Sequence, residues 1–496
     1  MTGRYNELMP RPLGNALGLF ILATMIGACY GFQYTTFAQR NVGYYAGFSV
    51  AFALVLSVLT HSVLVTRVDA IRLSAVHGWL GFMLMTFSFT LTLFFQSKFV
   101  APIAWYALAA ATGTLGFLAH RTWGARGSTL LFALAGLALV IVLVARTGVW
   151  EQGDMLLVVE AASRELLAGK QPYRAYPEIY HFVAEMEGVK AADTVAYAEK
   201  YSNSRIPLVY LPGTWLAYLP SVALGLDPRI LNIVLLVLVV LVFERWVPIR
   251  GDRPLVLSLT LYPILLSPSF LGIFKALHGL HFWLLLLGTV LGIAGRRYWT
   301  SAIFFGLALA TRQESLFLVA PLFAYLVLRM RWKRLFRYAL ASLGVYLLLT
   351  VPFAIAWGQD FMFWKHMYLT SWWASDQVTP MHRQIGLTNI LDVLGMHKGF
   401  LLLQIVTLLG SAALLLVHKQ RSFSWALQFF GLTFIWLVAF NVYAVRYIYY
   451  PGFILFLVGA AMTLGNPVFT QRLAMPGKAS AGNPETPPER TGEKTQ

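Results

Sequence analysis

The residues of this chain that could do chemistry are few, and they are gathered. Of its 21 Asp and Glu residues, ten lie between Val149 and Pro228: Glu151, Asp154, Glu160, Glu165, Glu178, Glu185, Glu187, Asp193, Glu199 and Asp227. The densest constellation is Gly153-Asp154, then Glu160, then Gly169-Lys170-Gln171-Pro172-Tyr173, then Tyr210-Leu211-Pro212. Asp154 follows an apolar run long enough to cross a membrane, so its carboxylate falls near the membrane surface. A carboxylate there can act as general base toward an acceptor hydroxyl, provided it comes within hydrogen-bond reach of that proton. The same residue also suits the start of an amphipathic helix over 155–168, which it would cap; spacing alone favours the cap.

Other ionisable residues interrupt apolar stretches. Arg312 and Glu314 do so in Thr311-Arg312-Gln313-Glu314-Ser315. Ionisable side chains are costly in a spanning region and point to function by default; a local pair pinning a helical hairpin explains them equally well. Arg446, ahead of Tyr447 and Tyr450, could clamp a lipid phosphate or anchor a helix end among tyrosines. Lys365, His366, His382 and Arg383 could each meet a phosphate, although most exposed basic residues do not. His278 and His281 share a helix face at i and i+3, but lack the carboxylate that would complete a metal site. Trp372-Trp373 could stack on a sugar ring, although interfacial anchoring is the commoner use. The sequence holds no Walker motif, no GxGxxG before a helix, no HExxH and no metal-spaced Cys/His cluster, which argues against nucleotide hydrolysis and zinc proteolysis.

The elements that must position these residues are membrane-spanning helices. The chain has 496 residues, 58% hydrophobic and 12% charged, against about 25% charged in a soluble domain. Apolar runs of the length needed to cross a ~30 Å hydrocarbon core recur throughout, and the period-two segments of a β-barrel are not seen. The fold class is therefore all-α and polytopic. Spans are expected at about 13–34, 44–66, 74–96, 99–119, 127–147, 229–246, 255–274, 278–295, 299–311, 315–330, 338–357, 399–417, 424–443 and 447–465, about 14 in all. Leu13 to Tyr34 reads as a retained signal anchor, and the lone Cys29 excludes an intrachain disulfide.

The net charge of +17 is spread over short loops, the pattern of the positive-inside rule rather than of nucleic-acid binding. With the N-terminus inside, eighteen Lys and Arg fall on inner segments, Arg296, Arg297, Arg329 and Arg331 to Arg337 among them, and eight on outer ones, leaving aside the long acidic loop and its flanks. This favours N-in and C-in, with the acidic loop outward. Leu208 to Leu226 is apolar enough to span, but Pro207, Pro212 and Pro220 break it, and counting it as a span would reverse the charge asymmetry. It reads as a segment lying in the outer interface. A second, aromatic outer loop runs over 358–398, and the polar tail 466–496 reads as disordered and cytoplasmic. No internal repeat is visible, which weakens an inverted-repeat transporter.

In their order and topology these motifs resemble the first outer loop of GT-C superfamily glycosyltransferases, especially the bacterial polyprenol-phosphate-mannose-dependent mannosyltransferase-like families. The matching positions are Asp154 after a spanning helix, Gly169 with Pro172-Tyr173, and Tyr210 with Pro212. Gly306 to Ser315 is similar to the "GLA…TRPEG" element of that superfamily, with Gln313 in place of proline. The resemblance covers residues 130–465, and five helices precede the loop where the simplest members have one. It implies an N-terminal four-helix extension (1–126) and a catalytic membrane domain (127–465) with its outer catalytic loop at 148–228. It also implies a multi-pass protein of a bacterial-type inner membrane, active on the outer face. The donor would be a polyprenyl-phosphate sugar, mannose or another hexose, and the acceptor a glycan, glycolipid or protein. Asp154 would be the base. Arg446, Lys365, Arg312 and His366 would face the donor phosphate, and Glu160, Tyr173, Tyr210 and Glu314 would line the substrate. No cofactor is implied; a divalent metal is compatible but not indicated. The rival classes are a multi-pass transporter or lipid-linked sugar flippase, and a noncatalytic scaffold.

Overall fold

Long apolar runs, punctuated by Gly-Arg, Asp-Pro and Ser turns, form the helices of the structure. The computed structural model describes residues 42–64, 154–173, 210–247, 279–357, 386–396, 399–418, 422–441 and 446–464, with scattered residues of 18–25 and 118–134. Among the described residues there is no strand. The expected spans at 74–96 and 255–274 lie outside the described residues, as do most of those at 13–34, 99–119 and 127–147, most of the second outer loop, and the tail.

In chain order the helices are α1 (Val42–Leu64), α2 (Asp154–Leu167), α3 (Pro212–Leu216), α4 (Leu219–Ala223), α5 (Pro228–Trp246), α6 (Leu280–Ala294) and α7 (Tyr298–Thr311). After a 3-10 turn at Gln313–Leu318 come α8 (Val319–Val327), α9 (Trp332–Ala356), α10 (Thr388–Val393), α11 (Gly399–Val417), α12 (Phe423–Ala439) and α13 (Arg446–Leu464). Several boundaries have a visible local cause. Asp227 caps α5 by accepting from the Arg229 backbone N–H at 2.8 Å, with Pro228 at the first position, where a missing N–H costs nothing. Ser422 caps α12 through Trp425 N–H at 3.3 Å.

Among the described residues three helices are long and apolar enough to cross a membrane: Ala46–Leu64 within α1, Trp332–Ala356 and Gly399–Val417. In the last two, only 11% and 17% of the apolar window is buried. Leu340, Leu343, Leu347 and Val351 leave an apolar stripe of α9 uncovered, the surface a helix presents to lipid rather than to water. Within the stretch from Leu208 to Leu226, Pro212–Leu216 and Leu219–Ala223 form α3 and α4. At 1.5 Å per residue each rises only about 7.5 Å, so neither can cross a ~30 Å core.

The centre is the antiparallel pair α12–α13, buried along nearly its whole length. Gly431 and Gly452 let the two backbones meet: a Cβ on Gly431 would lie 2.5 Å from the Gly452 carbonyl oxygen. α1 packs on this pair through two indole N–H groups, Trp436 to Thr60 Oγ1 and Trp425 to the Val63 carbonyl, both at 2.9 Å. On the other flank α6, α7 and α9 pack side by side in chain order. Their ends define two opposite ends of the bundle.

Candidate functional site

At one of those ends α2 lies against α3 and α4. Leu156, Val159 and Ala162 are its buried stripe, and the Ser163 hydroxyl donates to the Trp215 carbonyl at 3.0 Å. Gly169, a motif glycine of the sequence, ends this helix. Its φ is +69°, and Lys170 N–H to Glu165 O (2.8 Å) with Gly169 N–H to Leu166 O (3.0 Å) closes the left-handed cap that glycine favours. The chain then delivers Tyr173 into a small aromatic core of its own. Tyr173 is 1% exposed, its hydroxyl lies 3.4 Å from the Tyr210 carbonyl, and Trp215 Nε1 donates to it at 3.4 Å. Phe353 and Trp357, at the end of α9, complete this floor: Phe353 sits edge-on to Trp215 at 5.2 Å and stacks on Trp357 at 5.6 Å.

This loop assembly is fastened to the bundle at the end of α7. A Cβ on Gly213 would meet Thr311 Oγ1 at 2.6 Å and the Ala310 carbonyl oxygen at 2.8 Å, so only glycine lets α3 approach so near. The Thr214 hydroxyl donates to the Thr311 carbonyl. Immediately after, the backbone of Arg312 turns extended (φ −138°, ψ 132°) and α7 stops. Arg312 and Glu314 form a two-point ion pair, Nε to Oε2 at 3.0 Å and an Nη to Oε1 at 2.7 Å, with side chains only 11% and 5% exposed. The other guanidinium nitrogen lies against Gly279, the residue before α6. Beside it the Tyr218 hydroxyl donates to Asn232 Oδ1 at 2.6 Å, and buried His281 stands edge-on to the Tyr218 ring at 5.8 Å. Burial pushes the Tyr218 phenol above its ordinary range, against opposing contributions from the Gly279 backbone and the Arg312 charge, so it remains a neutral hydroxyl.

The structure thus brings together Glu160, Tyr173, Tyr210, Arg312 and Glu314, or the elements that carry them. Asp154 opens α2 at its first residue; its side chain lies outside the described residues. Glu160 lies further along the same helix, in an i,i+4 pair with Arg164 at 2.6 Å. Tyr173 and Tyr210 are neighbours in the aromatic core. Arg312 is not a lone cation: Glu314 holds it, and together they fix the break between α7 and the 3-10 turn. Arg446 opens α13, with its side chain outside the described residues, and Lys365, His366, His382, Arg383, Trp372 and Trp373 lie outside them altogether. His281 faces the Tyr218 ring, and among the described residues no three His, Cys, Asp or Glu side chains are grouped to hold an ion.

Sequence reasoning missed the fastening residues. Gly213, Thr214 and Trp215 fall in an apolar run with no pattern to set them apart, and Asn232 is a single polar residue in an apolar stretch of α5. Asp227 and Arg229, which form a tight ion pair at the head of α5, carry a legible signal in the Asp-Pro helix start. No protein-family model, curated protein or solved structure matches the chain. Fold and site together therefore define a helical protein with membrane-length apolar helices and, at one end of its bundle, a polar and aromatic assembly built around a loop helix.

Proposed function

We propose that the chain is a polytopic membrane glycosyltransferase of the GT-C type, N-in and C-in, that uses a polyprenyl-phosphate hexose on the outer face of a bacterial-type inner membrane. One observation carries the reading. α2, the short helices α3 and α4, and the Thr311–Ser315 turn converge at one end of the bundle, although more than 150 residues separate Asp154 from Ser315. These are the elements that the motif resemblance names.

In this mechanism Asp154 takes the proton of an acceptor hydroxyl. The oxygen attacks the anomeric carbon with inversion, the bond to the phosphate oxygen breaks, and polyprenyl phosphate leaves with the electron pair. Arg446, Lys365 and His366 would stabilise the developing phosphate charge, and the Arg312–Glu314 pair would hold the turn after α7. Tyr173, Tyr210 and Glu160 would wall the acceptor side. A lipid-borne donor accounts for a chain without nucleotide motifs.

The rival reading, a transporter or lipid-linked sugar flippase, gains from one feature. The Arg312–Glu314 pair at the turn between α7 and α8 is nearly buried, and ionisable groups enclosed within a membrane region also mark transport pathways. One assay separates the two. Purified protein in lipid, given a radiolabelled polyprenyl-phosphate hexose and candidate acceptors, should transfer the sugar and release polyprenyl phosphate. Movement of intact donor between leaflets without cleavage supports the flippase instead.

A further inference from the structure

The opposite end of the same helices holds a second concavity. Five arginines line it: Arg296 and Arg297 between α6 and α7, Arg329 after α8, and Arg334 and Arg337 on the first turns of α9. The cavity measures about 820 Å³, and among the described residues no acidic side chain lines it. Between Pro254 and Trp357 the sole acid is Glu314, which sits at the far end of α7. Since α6 has 15 residues, the two ends are about 22 Å apart along its axis.

Three features set this pocket apart from basic loops that merely follow membrane orientation. First, the arginines come from two separate connections and from the first turns of α9, and converge on one hollow, whereas orientation requires only that they lie on one side. Second, two helices begin at the pocket with the wrong residues for a helix start. The residues preceding α7 and α9 are Arg297 and Arg331, and neither start has a side-chain cap. Backbone N–H groups and dipoles at such ends attract anions and repel the cations placed there. A phosphate would satisfy both the N–H groups and the guanidinium groups. Third, Arg296 stands at φ 58°, the left-handed position of the cap that ends α6, while Gly295 beside it adopts an ordinary φ of −81°. Among the described residues it is the only non-glycine with positive φ. A charged side chain is held at the pocket edge where glycine would be easier, and strained backbone of this kind gathers at functional sites.

We propose that this pocket is a binding site for a phosphorylated anion with at least two phosphate charges. The shared chemistry is that of a diphosphate or a phosphomonoester, carried either on a membrane lipid headgroup or on a free solute. The site is distinct from the Asp154 end and does not depend on the transferase reading.

The test uses the full chain in phosphatidylcholine nanodiscs, with two arms. In the first, inorganic pyrophosphate is titrated by calorimetry. In the second, the nanodiscs contain phosphatidic acid, and the lipid retained by the protein on release from the disc is counted by native mass spectrometry. The variants are Arg296→Gly and the double change Arg334→Gln/Arg337→Gln. Arg296→Gly removes a charge and relaxes the backbone, so its melting temperature should be unchanged or higher; it remains informative even if the double variant folds poorly. Saturable pyrophosphate binding that weakens about tenfold or more in Arg296→Gly supports the site with a free solute as its source, each charge-assisted contact carrying roughly that factor. Phosphatidic acid retained by the wild type, lost in Arg296→Gly and blocking the pyrophosphate titration, supports the site with a lipid source. Failure of the wild type to bind in both arms, or wild-type binding by Arg296→Gly, overturns the proposal.

Discussion

Two carboxylates near one another on α2 are expected to behave differently. Asp154 is the first residue of the helix, whereas Glu160 lies inside it and is matched by Arg164. Asp154→Asn should leave expression and membrane insertion intact, because an amide can still cap a helix. Sugar transfer should fall by about 10²–10⁴, the usual loss when a general base is removed. Glu160→Gln should be milder, since it disrupts an exposed helix pair worth a few tenths of a kcal/mol. Turnover of the purified variants decides it: wild-type turnover by Asp154→Asn would reduce that residue to a helix cap. The Arg312–Glu314 pair gives a second residue-scale expectation. Both side chains are nearly buried, so Glu314→Ala, which strands the guanidinium, should cost about 3–5 kcal/mol. The double change Arg312→Met/Glu314→Leu should recover most of that loss. Unfolding midpoints of the wild type and the two variants in detergent provide the comparison, and equal losses in the single and the double variant would argue against a coupled pair.

At the scale of elements, the decisive contact is α3 against α7. No side chain larger than hydrogen fits at Gly213, so Gly213→Ala must push α3 away from Thr311. It should also break the hydrogen bond from Thr214 to the Thr311 carbonyl. The expected loss is about 1–3 kcal/mol from overpacking, with sugar transfer reduced because the loop assembly is displaced from the bundle. Gly344→Ala is the control. It lies in α9, where an added Cβ would meet nothing within 4 Å, and alanine there should be neutral or stabilising by up to about 1 kcal/mol. Thermal unfolding and turnover measured on both variants separate a packing effect from a general intolerance of the bundle. The same element view explains why α3 stops before α4: Pro220, at the second position of α4, has no N–H with which to continue α3, while Pro212 and Pro220 each sit in a first turn, where that N–H is not needed.

For the whole molecule, the expectation is topological. The helices α6, α7 and α9 have the Arg312–Trp215 assembly at one end and the arginine pocket at the other, so the two lie on opposite sides if these helices span. Single cysteines in a Cys29→Ser background should show it. Lys190→Cys, in the acidic loop, should react with an impermeant maleimide from outside intact cells. Lys333→Cys, at the start of α9, should react only after the cells are opened. The reverse labelling would overturn both the orientation and the outer-face mechanism built on it.

Sequence and structure contributed differently at these scales, for a physical reason. Hydrophobic runs are local, and so are proline starts and the glycine cap at Gly169. Composition and spacing therefore placed α1, α5, α6, α7, α11, α12 and α13 within a few residues of their structural bounds. They also kept Leu208 to Leu226 from being counted as a span. The pairing of Arg312 with Glu314, two residues apart, was legible as one of two alternatives. What the sequence could not reveal depends on residues far apart in the chain. Gly213 matters because Thr311 is there to meet it, Tyr173 because Trp215 and Phe353 close around it, and Arg296 because Arg329 and Arg334 face the same hollow. In an apolar bundle such contacts leave no periodic trace, since a glycine, threonine or arginine reads the same whether it faces lipid, water or a partner helix. Only the tertiary structure decided which of them meet.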